Sequence, residues 1–399
     1  MEIECSSLGA KNNFTVLDLG SYKVRCINFD ITKSGQALVR ANTEADSFGI
    51  KGGGVLNVES ASSVISSVIS RAEKACEETI DSVFVNVADC GISSKSFSVK
   101  TEISSGKVTQ ETINKLNQIA TEKISSIPLH TIRLNCCIDK MQEAIEPIGM
   151  YGKNLDADFH VITGAKTMLL NIENCISQCT LKLSGAAFSA YCSAFCSLSD
   201  DQKDLGAIAI DIGAKHTSVA FFKKLKCHNV FVLPVGGLNI TKDLACGLNL
   251  SVAQAEQIKK KFHLIDFDQS SKSDLDSSFL HEIDVKTQIS ISDASSIILP
   301  RLEEIFEIIK EKTKDFNFSS VTITGGGAKV SGVSKVAKNI LKKKCRLQER
   351  IKVGEKIFGA EYSSLCGMIK IIQSLHTSGK KAEEKDGYIK KFLRVLAFK

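Results

Sequence analysis

Two short segments, half the chain apart, share one pattern and limit the folds that the sequence can adopt. Residues 14–30 read FTVLDLGSYKVRCINFD, and residues 207–222 read AIAIDIGAKHTSVAFF. Each has an apolar strand, an Asp-x-Gly turn and a second alternating strand, which is the pattern of a β-hairpin. Two such hairpins predict two similar domains. Helical patterns that follow strands, such as residues 58–79 and 251–263, predict α/β sheets covered by helices.

The rest of the sequence predicts two insertions and a separate C-terminal segment. A chain of 399 residues is long enough for two domains, each with its own core. A helix with an acidic start near Thr109 lies among strand-like segments, which predicts an α+β insertion. Pro300 is expected to open a helix with an apolar stripe at Leu302, Ile305, Phe306 and Ile309. The expected units are a first domain (1–88), the α+β insertion (89–165), the second domain's first part (166–237), its insertion (238–299), its second part (300–376), a flexible linker (377–387) and a C-terminal helix (388–399).

Charge and composition narrow the classes of function. Of the net charge of +6, residues 377–399 carry +4, from seven basic and three acidic side chains. The chain has no Trp, and its basic residues do not alternate with aromatic ones on strands, so a nucleic-acid partner is not expected. The first residues lack the pattern of an export signal, and no apolar run is long enough to span a bilayer. We therefore expect a cytoplasmic protein whose 14 cysteines are reduced.

The two Asp-x-Gly turns are the first candidates for chemistry. Glycine lets the backbone approach a phosphate, and aspartate can hold hydrated Mg²⁺. Asp18, Gly20 and the following Ser21 could face Asp211 and Gly213 across a bound polyphosphate. The alternative is that both are only tight hairpin turns, for which the same residue types are suited.

A third element favours a binding site. Residues 321–341 read VTITGGGAKVSGVSKVAKNIL, a strand followed by Gly325, Gly326 and Gly327 and then a helix. Such a turn brings backbone amides and a helix N-terminus against a nucleotide. The order of residues is neither a Walker loop nor a dinucleotide fingerprint.

The three elements, in this order, resemble the phosphate-1, phosphate-2 and adenosine motifs of the actin, Hsp70 and sugar-kinase superfamily. Within it, the chain resembles the bacterial cell division family FtsA over nearly its whole length. The residues that carry this resemblance are LPVGGLNITKDLACGLNLSVAQAEQIKKKF (233–262), GKVTQETINK and EPIGMYGKNLDADFHVITG, the last two within the α+β insertion.

The resemblance implies an actin-like, ribonuclease H-like duplicated ATPase fold that binds ATP and Mg²⁺. It places Gly236 and Gly237 at the phosphates, Glu256 and Lys259 near the ribose and base, and Mg²⁺, through water, at Asp18 and Asp211. The sequence departs from the family after Gly213, where Ala214, Lys215 and His216 replace further glycines, although Lys215 adds charge near a phosphate. Ser184, Gly185 and Ala186 stand where relatives carry an acidic or polar residue and a proline, so at most weak hydrolysis is expected.

The last 12 residues, YIKKFLRVLAFK, predict an amphipathic helix. They are too few to span a bilayer and need a surface on which to fold. We interpret that surface as anionic membrane lipid, and docking on the body or on a partner is the alternative. The residues expected at the membrane form an apolar stripe with basic side chains opposite it: Ile389, Lys390, Lys391, Phe392, Leu393, Arg394 and Leu396.

The resemblance implies an adaptor that tethers polymers of the tubulin-like protein FtsZ to the inner face of the cytoplasmic membrane at the division septum. It implies that residues 238–299 receive the FtsZ C-terminal peptide, that the body self-associates into actin-like filaments, and that later divisome membrane proteins bind. Two alternatives remain open: a type IV pilus assembly scaffold similar to PilM, and a sugar- or acid-kinase-type phosphotransferase.

Overall fold

The computed structural model describes residues 12–88, 91–140, 142–261, 275–285 and 288–384. The strands of the first half are β1 (Asn13–Leu19), β2 (Lys23–Ile31), β3 (Ala37–Asp46), β4 (Ile50–Lys51), β5 (Gly54–Val55), β6 (Ser82–Val87), β7 (Ser93–Glu102), β8 (Ile127–Ile138), β9 (Gln142–Glu143), β10 (Asn154–Gly164) and β11 (Lys182–Phe188). Those of the second half are β12 (Ala207–Ile212), β13 (Thr217–Lys223), β14 (Lys226–Leu233), β15 (Ser320–Thr324), β16 (Lys344–Leu347), β17 (Arg350–Val353) and β18 (Lys356–Gly359).

The helices lie between and around these strands. They are α1 (Val58–Cys76), α2 (Gln110–Glu122), α3 (Lys166–Gln178), α4 (Ser189–Ser197), α5 (Asp200–Leu205), α6 (Gly237–Gly247), α7 (Val252–Lys261), α8 (Ser277–Glu282), α9 (Ile291–Lys312), α10 (Val333–Leu341) and α11 (Ser363–Glu384). Two short 3-10 helices span Gly326–Lys329 and Ala360–Tyr362.

The two predicted hairpins lie in two equivalent sheets. One sheet has the strand order β11-β6-β1-β2-β3 and the other β14-β13-β12-β15-β16. In the first sheet, β1 pairs with β2 as an antiparallel hairpin and, on its other side, with the parallel strand β6. In the second sheet, β12 pairs in the same way with β13 and with the parallel strand β15. Because each sheet repeats the same order of strand types, the weak sequence repeat corresponds to a structural duplication.

A separate antiparallel sheet, β7-β10-β8-β9, forms the inserted α+β subdomain. Helix α2 covers it, and Ile113 and Leu116 are buried against Leu155 and Phe159 of β10. The helix begins where the sequence predicts, since Thr109 and Thr112 cap each other's backbone N–H groups at 3.3 Å. This subdomain therefore has its own core.

Two helices, α4 and α11, pack closely against each other between the main sheets. A side chain on Gly367 of α11 would overlap the backbone carbonyl of Cys192 in α4. The crossing thus requires glycine at position 367. Helix α4 also contacts β12 and β13, and α11 closes the core on one face of the first sheet together with β17 and β18.

Pro300 does not open helix α9, as the sequence predicted, but lies inside it. The helix begins at Ile291, capped by the Ser290 hydroxyl, which accepts a hydrogen bond from the Asp293 N–H at 3.0 Å, and Pro300 lies inside it. An internal proline costs about 3 kcal/mol. The turns before it bury Ile291 and Ile298 in the same core as the predicted stripe, and this burial offsets the cost.

The C-terminal helix α11 is longer than the sequence pattern suggested. It continues to Glu384, so the linker expected from residue 377 is helical over its first part. Lys, Ala and Glu are strong helix formers and outweigh the single Gly379. The predicted membrane-binding residues 389–396 lie outside the described residues. Within the described residues, no helix is both long enough and apolar enough to cross a membrane.

Candidate functional site

A cavity of about 330 Å³ lies between the two domains, and the glycine-bearing turns converge on it. Twelve of the thirteen nucleotide-site residues predicted from the sequence line this cavity: Asp18, Gly20, Ser21, Asp211, Gly213, Lys215, Gly237, Glu256, Lys259, Gly325, Gly326 and Gly327. We refer to it as the cleft.

The first turn places a carboxylate at the end of β1. A side chain on Gly20 would lie 2.6 Å from the Lys23 carbonyl oxygen, so the tight turn requires glycine. Asp18 lies opposite Arg25 in the β1–β2 register. Desolvation in the cleft raises the pKa of Asp18 to about 6, while the Arg25 charge opposes this shift and the Asp211 charge adds to it. The two aspartates are thus electrostatically coupled.

The second turn presents Asp211 from β12. Burial raises the pKa of Asp211, and hydrogen bonds from the Ser193 and Ser363 hydroxyls, which favour the ionised form, oppose this shift. The Ser193 and Ser363 oxygens lie 3.1 Å apart. These serines belong to α4 and α11, so the two central helices position this carboxylate.

The Gly-Gly turn before α6 packs against the second hairpin. The Gly237 N–H donates to the Gly213 carbonyl at 2.9 Å, and the Leu238 N–H donates to the Ala214 carbonyl at 2.7 Å. Gly236 is not among the lining residues. A side chain there would lie 2.6 Å from the Gly213 carbonyl oxygen, so its part in this geometry is to permit the close packing of the two turns.

The triple glycine follows β15 and reaches the second hairpin. Gly325 has φ 93° and ψ 166°, a backbone conformation that is essentially restricted to glycine. A side chain on Gly325 would overlap the Asp211 carboxylate, and one on Gly327 would lie 2.9 Å from the Ile212 carbonyl oxygen. A 3-10 turn comes next, and α10 begins only at Val333, so the helix N-terminus is not directly at the glycines as the sequence suggested.

Helix α7 supplies a buried ion pair to the cleft wall. The Lys259 ammonium lies 2.7 Å from Glu256 and donates to the Thr241 hydroxyl at 2.8 Å and to the Gly237 carbonyl at 3.0 Å. Burial lowers the pKa of Lys259, and the Glu256 charge opposes this shift. These contacts fix both side chains and tie α7 to the start of α6.

Comparison with known protein families identifies the family to which the chain belongs. The family described as "Cell division protein FtsA" matches residues 208–367, and "SHS2 domain inserted in FTSA" matches residues 91–163. Cell division protein FtsA of Neisseria meningitidis is 28% identical over 376 residues, covering 89% of each chain. The chain belongs to the FtsA family of cell division proteins. The FtsA of Agrobacterium fabrum is 26% identical over 89% of this chain and 86% of its own, and that of Bacillus subtilis is 25% identical over 90% and 82%.

Solved structures confirm the actin-like fold of this FtsA-family chain. A "PilM-PilN type IV pilus biogenesis complex" superposes with a TM-score of 0.61 at 12% identity, covering 90% of this chain and 98% of the other. MreB5 of Spiroplasma citri, bound to ADP, superposes with a TM-score of 0.55 at 13% identity over 93% and 99%. The same protein bound to AMPPNP gives a TM-score of 0.54 over 94% and 99%. The FtsA insertion corresponds to the β7–β10 subdomain.

The cleft of this FtsA-family chain also contains charged residues that the sequence analysis missed. Arg25 pairs with Glu44 at 3.0 Å, and Lys329 pairs with Glu361 at 2.8 Å. Arg25 had a detectable signal, because residues directly opposite in an antiparallel hairpin project from the same face and Arg25 is opposite Asp18. Glu44 and Glu361 come from distant segments, and no local pattern indicates them.

A contact across the mouth of the cleft joins the two domains. The Lys260 ammonium of α7 donates to the Tyr22 hydroxyl at 3.1 Å and lies 5.5 Å from the centre of its ring. Tyr22 belongs to the first Asp-x-Gly turn. The described structure is therefore one in which the two domains are in contact at the cleft mouth.

Proposed function

We propose that this actin-like cell division protein binds ATP in the cleft. The observation that carries the proposal is the convergence of three glycine-bearing turns, from both domains, on one cavity in a chain of the FtsA family. The fold is that of MreB5, whose structures contain ADP and AMPPNP. In this proposal, the turns at Gly20 and Gly213 accommodate the phosphates. The Gly325–Gly327 turn lies against the adenosine part of the nucleotide, and Glu256 and Lys259 lie towards the ribose and base.

Mg²⁺ fits the carboxylates of the same cleft. Asp18 and Asp211 are coupled, and the pKa of each is raised by burial, so a cation between them would relieve the cost of ionising both. We propose that they hold the ion through water. Bound there, Mg²⁺ would neutralise phosphate charge. The Arg25 charge and the hydrogen bonds from the serines at Asp211 favour the ionised form of the carboxylates.

Hydrolysis in this proposal is weak. Among the described lining residues, Glu44 and Glu361 are in ion pairs with Arg25 and Lys329, and Glu256 is paired with Lys259. Pairing of these carboxylates leaves them poorly suited to orient an attacking water. The sequence departure at Ser184, Gly185 and Ala186 supports the same conclusion.

At the cellular level, we propose an adaptor at the division septum. The tail residues 389–396 would bind anionic lipid on the cytoplasmic side of the inner membrane, since an apolar stripe with basic neighbours favours reversible attachment. Residues 238–299 would receive the FtsZ C-terminal peptide, the body would self-associate into filaments, and later divisome membrane proteins would join. Membership of the FtsA family supports this role.

The test is co-sedimentation with anionic vesicles and FtsZ polymers in the presence of ATP and Mg²⁺. The full chain is compared with a version that ends at Gly387 and with a full-length Phe392→Glu variant, which keeps the length and breaks the apolar stripe. We expect only the full native chain to bring FtsZ down with lipid. Equal lipid binding by all three would refute the tail's role.

Two other outcomes would favour other functions. Lipid binding without recruitment of FtsZ would favour a scaffold like PilM, whose complex shares the fold. Phosphate release that depends on an added sugar or acid would favour a phosphotransferase and contradict the adaptor. Nucleotide binding itself is measured separately, by titrating a fluorescent ATP analogue.

A further inference from the structure

A second cavity, of about 290 Å³, adjoins the cleft, and we refer to it as the side cavity. The two share Lys215, His216 and Leu238 as a common wall. The residues that line the side cavity are Gly52, Lys215, His216, Pro234, Leu238, Asn239 and Lys242.

Both domains contribute to the side cavity, because a hairpin of the first domain reaches the second. Strands β4 and β5 are joined by Gly52 and Gly53, with φ of 65° and 77°, as a tight two-residue turn requires. The Gly52 N–H donates to the Ser21 hydroxyl at 2.8 Å. A side chain on Gly52 would lie 3.0 Å from the His216 ring, so glycine permits this approach. The turn therefore connects the first Asp-x-Gly loop to the wall of the side cavity.

The charge around the side cavity is positive. Lys215 and Lys242 line the cavity, and Lys51 directly precedes its lining residue Gly52 at the glycine turn. Burial lowers the pKa of Lys215, and the charges of Lys51 and Lys242 lower it further. No carboxylate lines the cavity, and none of the ion pairs within the described part of the chain involves these three lysines.

Like charges gathered around one cavity disfavour one another unless an anion lies between them. The three lysines come from three segments: the β4–β5 hairpin, the second Asp-x-Gly loop and α6. Lysine is a common ligand of phosphate oxygens because its ammonium offers three donors and a full charge. A dianion held there would replace mutual repulsion with charge-assisted hydrogen bonds from both domains.

We propose that the side cavity is an anion site that takes a phosphate dianion beside the nucleotide cleft. The proposal rests on nucleotide binding in the adjoining cleft. The phosphate has two possible sources: the terminal phosphate of the bound nucleotide, or free inorganic phosphate. The shared wall at Lys215 makes both sources accessible, and the experiment below distinguishes them.

The test titrates inorganic phosphate into the full-length protein by calorimetry, with the protein saturated first with ADP·Mg²⁺ and then with ATP·Mg²⁺. The variants are Lys242→Gln and Lys51→Gln, which do not line the cleft. The matched control is Lys352→Gln, an exposed lysine that also lies on a two-stranded hairpin. The native protein and the three variants are compared for ADP affinity, ATP affinity and phosphate affinity.

We expect saturable phosphate binding to the ADP form, weakened at least about tenfold in Lys242→Gln and Lys51→Gln and unchanged in Lys352→Gln. ADP affinity should be equal in all four. If ATP abolishes phosphate binding, and the two variants lose ATP affinity, the terminal phosphate occupies the site. If phosphate binds both forms, the site takes free phosphate.

The proposal is overturned if the ADP form binds no phosphate saturably and the two variants match Lys352→Gln in ATP affinity. Failure of the cleft proposal gives a different result, since no nucleotide would then bind to any of the proteins. Phosphate titration of the nucleotide-free chain would still test the lysine cluster in that case, with the same variants and control.

Discussion

Substitution of Gly325 by alanine tests whether the Gly325–Gly327 turn requires the backbone conformation that only glycine adopts easily. Alanine is strained by about 1–3 kcal/mol at φ 93° and ψ 166°. The new methyl group would also overlap the Asp211 carboxylate and lie 2.6 Å from the Ile212 carbonyl oxygen, which adds about 1–3 kcal/mol. We therefore expect Gly325→Ala to lower the free energy of unfolding by about 2–6 kcal/mol.

The adjacent Gly326 provides the control. Its φ is not in the positive range, and a methyl group there would lie 3.6 Å from the nearest atom, the Glu361 Cβ, which is ordinary contact. Gly326→Ala should change stability by less than about 1 kcal/mol. Both variants are unfolded in urea and followed by circular dichroism. Equal midpoints for the two variants would show that the turn relaxes and that the reasoning from Gly325 is wrong.

Two further predictions concern charged groups in the cleft. The raised pKa of Asp18, about 6, means that the folded state binds an extra proton between about pH 4 and 6, so the stability that Asp18 contributes is present in acid and lost as pH rises through 6. Asp18→Asn should therefore stabilise the nucleotide-free protein at pH 7.5 by on the order of 3 kcal/mol and have little effect at pH 4, and equal melting shifts at both pH values would contradict this. Lys259→Met should cost about 3 kcal/mol because it leaves the Glu256 charge in a buried place. Lys314→Met, which breaks an exposed pair with the same spacing, should have no measurable effect, and equal melting temperatures for the two lysine variants would refute the distinction.

The turns were predictable from the sequence because their residues lie next to each other in the chain. Asp18 with Gly20, Asp211 with Gly213, and Gly325–Gly327 each form a local signal, and topology then brings them together. Glu44 and Glu361 reach the cleft from β3 and from a 3-10 helix, so only the assembled fold identifies them. The side cavity was missed for the same reason, since its lysines come from three segments.

The ends of helices were predicted less well where a local sequence signal is outweighed by burial in the core or by the helix propensity of neighbouring residues. Pro300 is a local signal for a helix start, but buried Ile291 and Ile298 continue the helix on its N-terminal side. Near the C-terminus, the polar composition indicated a linker, whereas the helix propensity of the same residues extends α11 to Glu384. The presence of the inserted subdomain was predictable because its capping residue Thr109 and its strands are local features.

The close crossing at Gly367 has a mechanical consequence for α11. The helix has 22 residues and is therefore about 33 Å long. It begins at Ser363, whose hydroxyl lies beside Ser193 and Asp211, and it ends at the point from which the C-terminal segment continues. A tilt of about 10° about its first turn would displace its far end by about 6 Å. The helix therefore has the geometry of a lever arm: a change at Asp211 that tilted it would be enlarged several-fold where the chain continues towards its last 15 residues.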